Sequence, residues 1–155
     1  MIERRLVTAG LKTLLTELTG RPVGVRTTPL DTEGRPVPPP YTLLYPLDHR
    51  TDDGTLADGH RTAVSDYQAT FVSGPVPGAP DSRGGDEQAQ WLADRGRRLV
   101  ARPTDGSGGY AHPLNCGPGV GCYRRDAAEA GGTSEPNDAI ITTVIRFRLY
   151  LETSA

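Results

Sequence analysis

Residues 140–151, IITTVIRFRLYL, alternate along most of their length. Ile141, Ile145, Phe147, Leu149 and Leu151 fall on one side of an extended chain, and Val144, Arg146, Arg148 and Tyr150 on the other. Successive side chains of a strand point to opposite faces, so this is a strand with one face on a core and one face wet. A strand covered on both faces reads as a continuous apolar run, so helices are expected on one side of its sheet only.

Upstream, residues 63–73 repeat the pattern, with Tyr67, Ala69 and Phe71 on one face and Asp66, Gln68 and Thr70 on the other. A loop carrying Pro75, Pro77, Gly78, Pro80, Gly84 and Gly85 separates this strand from a helix opening at Asp86, a residue suited to capping, and running to about Val100. Its inner stripe is Ala89, Leu92, Ala93, Gly96, Leu99 and Val100. A mid-helix glycine costs about 1 kcal/mol against alanine, so Gly96 is expected where the helix closely approaches the sheet. Residues 102–138, rich in glycine, read as a long irregular insertion.

Nearer the start, Ile2, Leu6, Val7, Leu11, Leu14, Leu15 and Leu18 recur every three or four residues, the stripe of an amphipathic helix, which Gly20 and Pro22 end. Residues 23–26 read as a short strand and residues 41–47 as another. Between them lie residues 28–40, whose five prolines withhold ladder donors and favour an extended, solvated arm. Leu11, Leu14, Phe71, Leu92, Phe147 and Leu149 are expected to share one core.

The fold class is therefore α+β: two helices on one face of a small, mainly antiparallel or mixed sheet of about four strands, with long Pro- and Gly-rich loops. One domain is expected to span residues 1–155, with the Pro-rich arm at 28–40 and the Gly-rich insertion at 102–138. Nineteen glycines and 14 prolines in 155 residues make about a fifth of the chain, against roughly 12% in average usage, so loop surface is abundant.

Charge is nearly balanced, with 17 basic and 19 acidic residues, which provides no basic field for nucleic-acid binding. No apolar run approaches the ~20 residues of a membrane span, and the first residues carry Glu3, Arg4 and Arg5 and lack the apolar core of a signal peptide. A soluble protein made in the cytoplasm is expected.

Several clusters invite chemistry. Asp48, His49, Asp52, Asp53, Asp58 and His60 lack the spacing of a calcium loop or of an i, i+4 histidine pair, and read as a solvated turn. Cys116 and Cys122, with only His112 near, lack a second ligand pair for zinc. They read as two unpaired thiols, an intraloop disulfide in an oxidising medium being the alternative. Ser107, His112 and Asp105 are the residue types of a nucleophile, base and orienter, yet any loop-rich chain contains such sets. No metal, cofactor or catalytic residue is expected.

The first helix ending near Leu18, the strand pair split by a long loop, DYQATFVS at 66–73, EQAQWLADRGRRLV at 87–100 and the closing ITTVIRFRLYL at 141–151 together resemble the tail terminator proteins of long-tailed bacteriophages. The resemblance implies a structural virion protein without enzymatic activity. It implies a homo-oligomeric, hexameric ring that caps the tail tube, stops its polymerisation and presents a surface to the neck and head-completion proteins. The implied location is the head-proximal end of the tail, after assembly in the bacterial cytoplasm, and near-neutral charge suits a ring through which DNA passes. The arm at 28–40 and the insertion at 102–138 depart from the family pattern. On this reading Arg146, Arg148, Asp66 and Gln68 form the subunit interface, plain surface solvation of the two arginines being the alternative, and Pro38, Pro39, Pro40, Tyr110 and His112 face tube or neck. A head-side neck or adaptor protein is the alternative, and a small hydrolase acting through the insertion a more distant one.

Overall fold

The computed structural model describes residues 1–54, 59–75, 86–133 and 140–154. Helix α1 (Arg4–Thr19) leads into strand β1 (Val23–Val25), β2 (Tyr41–Asp52), β3 (Thr62–Ser73), helix α2 (Asp86–Arg97) with a 3-10 turn (Arg98–Val100), β4 (Val120–Thr133) and β5 (Ile141–Thr153). The sheet is five-stranded and mixed, in the order β1-β2-β3-β5-β4. Only β1 and β2 run parallel.

Each helix buries the stripe that the sequence marks. Val7, Leu11, Leu14, Leu15 and Leu18 of α1, and Ala89, Leu92 and Ala93 of α2, pack with the sheet; of these, all but Ala89 join Tyr67, Phe71, Phe147 and Leu149 of β3 and β5 in one core. The six residues expected to share that core all belong to it. Helix α1 stops at Gly20, which adopts φ 67° and returns its N–H to Thr16 O at 2.9 Å, a left-handed cap that glycine makes without a Cβ penalty. Gly96 lies over the Phe71 ring: a Cβ built there would stand 2.3 Å from Cζ. The close approach expected of this glycine is present.

The expected four strands are five. Residues 120–133, which the sequence places in an irregular insertion, form β4 along the outer edge of β5. The strand is illegible in the sequence because it buries few apolar residues: Val120 and Cys122 pack only partly against the core, and the later part is mostly Ala and Gly, which are depleted in strands. Strand β2 likewise runs to Asp52, past the expected turn at Asp48. It survives Pro46 because β1 has ended there and because the ladder bulges between Pro46 and His49. The guanidiniums of Arg26, at 3.0 Å, and Arg4 donate to the carbonyls of Pro46 and Leu47 at this bulge. The loop expected from Pro75 to Gly85 falls mostly outside the described residues, as does Asp58.

The segment joining the 3-10 turn to β4 wraps the core. Its Asn115 carbonyl passes so close to α1 that a Cβ on Gly10 would stand 1.7 Å from the oxygen. Gly10→Ala is therefore expected to destabilise the protein by about 1–3 kcal/mol, although alanine is the better helix former. Urea denaturation checks this, and an unchanged or raised midpoint would show that the segment yields freely.

Candidate subunit interface

Among the described residues both helices pack on one face of the sheet and no helix covers the other. The register sets its rows: Tyr45, Gln68, Arg146 and Ala128 in one, and Asp66, Arg148 and Asp126 in the next. Arg148 donates to both carboxylate oxygens of Asp66, at 2.7 and 3.1 Å. These bonds, with Tyr150 adding to them, push the Arg148 pKa further above its ordinary value, so the charge is permanent. Asp126 accepts from Arg124 Nε at 3.1 Å, and Arg124 also lies 5.0 Å over the Tyr150 ring.

Two charges at one recess are left over, as is Arg50 further along β2. Among the described residues Arg146 and Asp48 make no ion pair and no side-chain hydrogen bond. Both line one recess of about 420 Å³, bordered by Leu47, Asp66, Asp126 and Arg148. Of the four residues expected at a subunit interface, all lie on this face; Asp66 and Arg148 are paired within the chain, and Arg146 is left without a partner among the described residues.

The five residues expected to meet tube or neck do not form one surface. Pro38 is exposed, Pro39 half-buried and Pro40 buried; the Pro39-Pro40 peptide is cis, and Pro40 O accepts from Arg21 Nε at 3.0 Å. Tyr110 and His112 sit across the sheet beside β4, where they hold Arg125. The Arg125 guanidinium is buried without a carboxylate. Its Nη1 donates to Leu99 O at 2.9 Å and His112 O at 2.8 Å, and its Cζ lies 4.5 Å from the Tyr110 ring centre. Arg102 stacks on the same ring at 4.2 Å, and the Arg125 N–H donates to the Tyr110 hydroxyl at 2.6 Å. Tyr110 and His112 thus dock the 101–119 segment on the sheet.

The residue types of a catalytic set are not assembled. The Ser107 hydroxyl donates to Asp105 at 2.6 Å, which closes a local turn and lowers the Asp105 pKa, and among the described residues no hydrogen bond joins His112 to either. A different pair, illegible in the sequence because composition places His49 in a turn, joins His49 Nδ1 to Ser65 Oγ at 2.6 Å across β2 and β3. Ser65 is fully buried. The acidic residues of the expected turn disperse: Asp52 caps Gly54, Asp53 faces Arg61 and His60 faces Glu152. Among the described residues no three His, Cys, Asp or Glu side chains converge on a metal position, and no helix is long and apolar enough to cross a membrane.

Cys116 and Cys122 are free thiols packed on the same core. Burial, reinforced by the Cys122 thiol, raises the Cys116 pKa to about 12; burial also raises Cys122, which Arg125 partly opposes. An unfolded cysteine ionises near about pH 8.5. As pH rises past that value the unfolded chain therefore loses protons before the folded one, and stability falls until the folded thiol ionises too. Buried Tyr67, also raised, adds in the same direction above about pH 10. The unfolding midpoint is expected to fall between about pH 8 and about pH 10.5, with a shallower fall in Cys116→Ala. Parallel profiles for the two proteins would contradict the assignment.

No known family model matches the chain, and no curated protein matches it.

Proposed function

We propose that the protein is a tail terminator: a structural protein whose copies close into a ring, hexameric by the resemblance, on the last ring of a phage tail tube, where it stops tube growth and receives the neck. The observation that carries this reading is the sheet face that no described helix covers, with Arg146 and Asp48 unpaired among the described residues. A sheet face lacking a helical layer, bearing charges that find no partner among the described residues of their own chain, suits contact with another protein surface. The elements on which the resemblance stands are all present, with β4 added between α2 and β5, and the balanced charge suits a DNA conduit that does not bind its cargo. The proposed partners are further copies of the chain, the tube protein and the neck proteins, at the head-proximal end of the virion tail. No catalytic step or cofactor enters the proposal.

Electron microscopy of the purified protein mixed with isolated tail tubes tests it. Density is expected as a ring at one end of each tube. Tubes with bare ends, or with protein scattered along their length, would overturn the proposal.

A further inference from the structure

The arm at 28–40 carries at its centre an exposed turn closed by its own bonds. The Asp31 carboxylate accepts from the N–H of Glu33 at 2.8 Å and of Arg35 at 2.9 Å, and from Arg35 Nε at 3.3 Å, which lowers its pKa. Asp31 N–H donates to Arg35 O at 2.8 Å and Val37 N–H to Pro29 O at 2.8 Å; Gly34 supplies the positive φ of 80°. The turn therefore keeps its shape through its own bonds, and residues 31–36 are all exposed. At its tip Glu33 and Arg35 form an ion pair, their side chains 65% and 69% exposed. Beside them Leu30 is 62% exposed. A preformed turn that holds a large apolar side chain and an ion pair away from its own body has little ordering left to lose on docking.

We infer that the arm of one copy docks in the open-face recess of the next, an inference that rests on the ring reading. The match is in three parts. Glu33 faces the unpaired Arg146, Arg35 faces the unpaired Asp48, and Leu30 covers Leu47, which is 40% exposed at the recess. The net charge of the recess opposes an acidic tip, because Asp48, Asp66 and Asp126 outnumber Arg146 and Arg148. The complementarity is between an ion pair and two unpaired charges of opposite order, which fixes the register of docking. Arm and recess are different patches, so each copy gives its arm to one neighbour and receives an arm from the other. That head-to-tail contact closes into a ring when the rotation permits.

The arrangement is tested with two full-length variants, Glu33→Arg and Arg146→Glu, whose assembly is followed by sedimentation at low salt from about 1 μM to about 1 mM. Each variant alone is expected to associate at least about tenfold more weakly than the unsubstituted protein, since like charges meet at every contact. Mixed in equal amounts, the two are expected to recover assembly to within about threefold. In the mixture the arm of a Glu33→Arg copy meets the recess of an Arg146→Glu copy with both charges reversed. The next contact joins an unchanged arm to an unchanged recess, so the copies alternate. Glu33→Gln and Arg146→Gln remove the charges without reversing them and are expected to weaken association by a smaller factor. Variants that associate like the unsubstituted protein, a mixture that stays dissociated, or an unsubstituted protein that stays monomeric throughout would overturn the inference. Recovery in an assembly of a size other than six would uphold the docking and contradict the hexameric ring.

Discussion

Arg125→Leu is expected to lower the free energy of unfolding by about 1–4 kcal/mol, because the buried carbonyl of Leu99 and the part-buried carbonyl of His112 lose their shared donor, a buried acceptor left unmade costing about 1–3 kcal/mol, while the loss of the unpartnered Arg125 Nε offsets part of this. Leucine restores apolar volume but no N–H. The Tyr110 ring also loses one of the two guanidiniums stacked on it, so the 101–119 segment is held mainly by Asn115 against Gly10 and by Cys116. Arg125→Lys is expected to fall between, since one ammonium does not reproduce a planar fork that bridges two carbonyls. Urea denaturation gives the size, and hydrogen exchange over 101–119 shows whether the loss is local. A change below ~0.5 kcal/mol, the range of surface substitutions, would mean that the guanidinium does not hold this segment.

Phe71→Ala is expected to cost about 3–5 kcal/mol. The ring is fully buried on β3 and its neighbour on α2 is Gly96, which has no side chain to fill the space. The same geometry gives a coupling. Gly96→Leu alone drives a side chain into the Phe71 ring and destabilises the protein, whereas Gly96→Leu with Phe71→Ala returns volume to the cavity. The double variant is therefore expected to be more stable than the sum of the single effects implies, by about 1 kcal/mol or more. Additive effects would show that helix and strand do not meet at this point.

What is legible in the sequence is what carries a period. The stripe of α1, the alternation of β3 and β5 and the inner face of α2 each bury many apolar residues, and each element lies within a few residues of where its pattern places it. Strand β4 escapes such a reading because an edge strand with one lightly covered face needs no alternating large residues, and its later part is mostly Ala and Gly. The arm reads as extended chain because five prolines dominate it; the turn-forming bonds come from Asp31, whose role depends on spacing to Glu33 and Arg35 and not on composition. At the open face, the polar alternation marks Arg146 and Arg148 as exposed. Which of the two is neutralised depends on the β3–β5 register, which places Asp66 opposite Arg148 and Gln68 opposite Arg146. Tyr110 and His112 read as loop-surface residues because nothing local announces a buried arginine fifteen and thirteen positions downstream.

The terminator reading is tested most directly by the length of tails assembled in the absence of this protein. A tube that lacks its stop keeps adding subunits and offers no surface to the head. Overlong tubes of variable length without heads are expected, shortened to a uniform length when the purified protein is present from the start of assembly, and less so with Arg146→Glu. Tails of ordinary, uniform length joined to heads in the absence of the protein would contradict it.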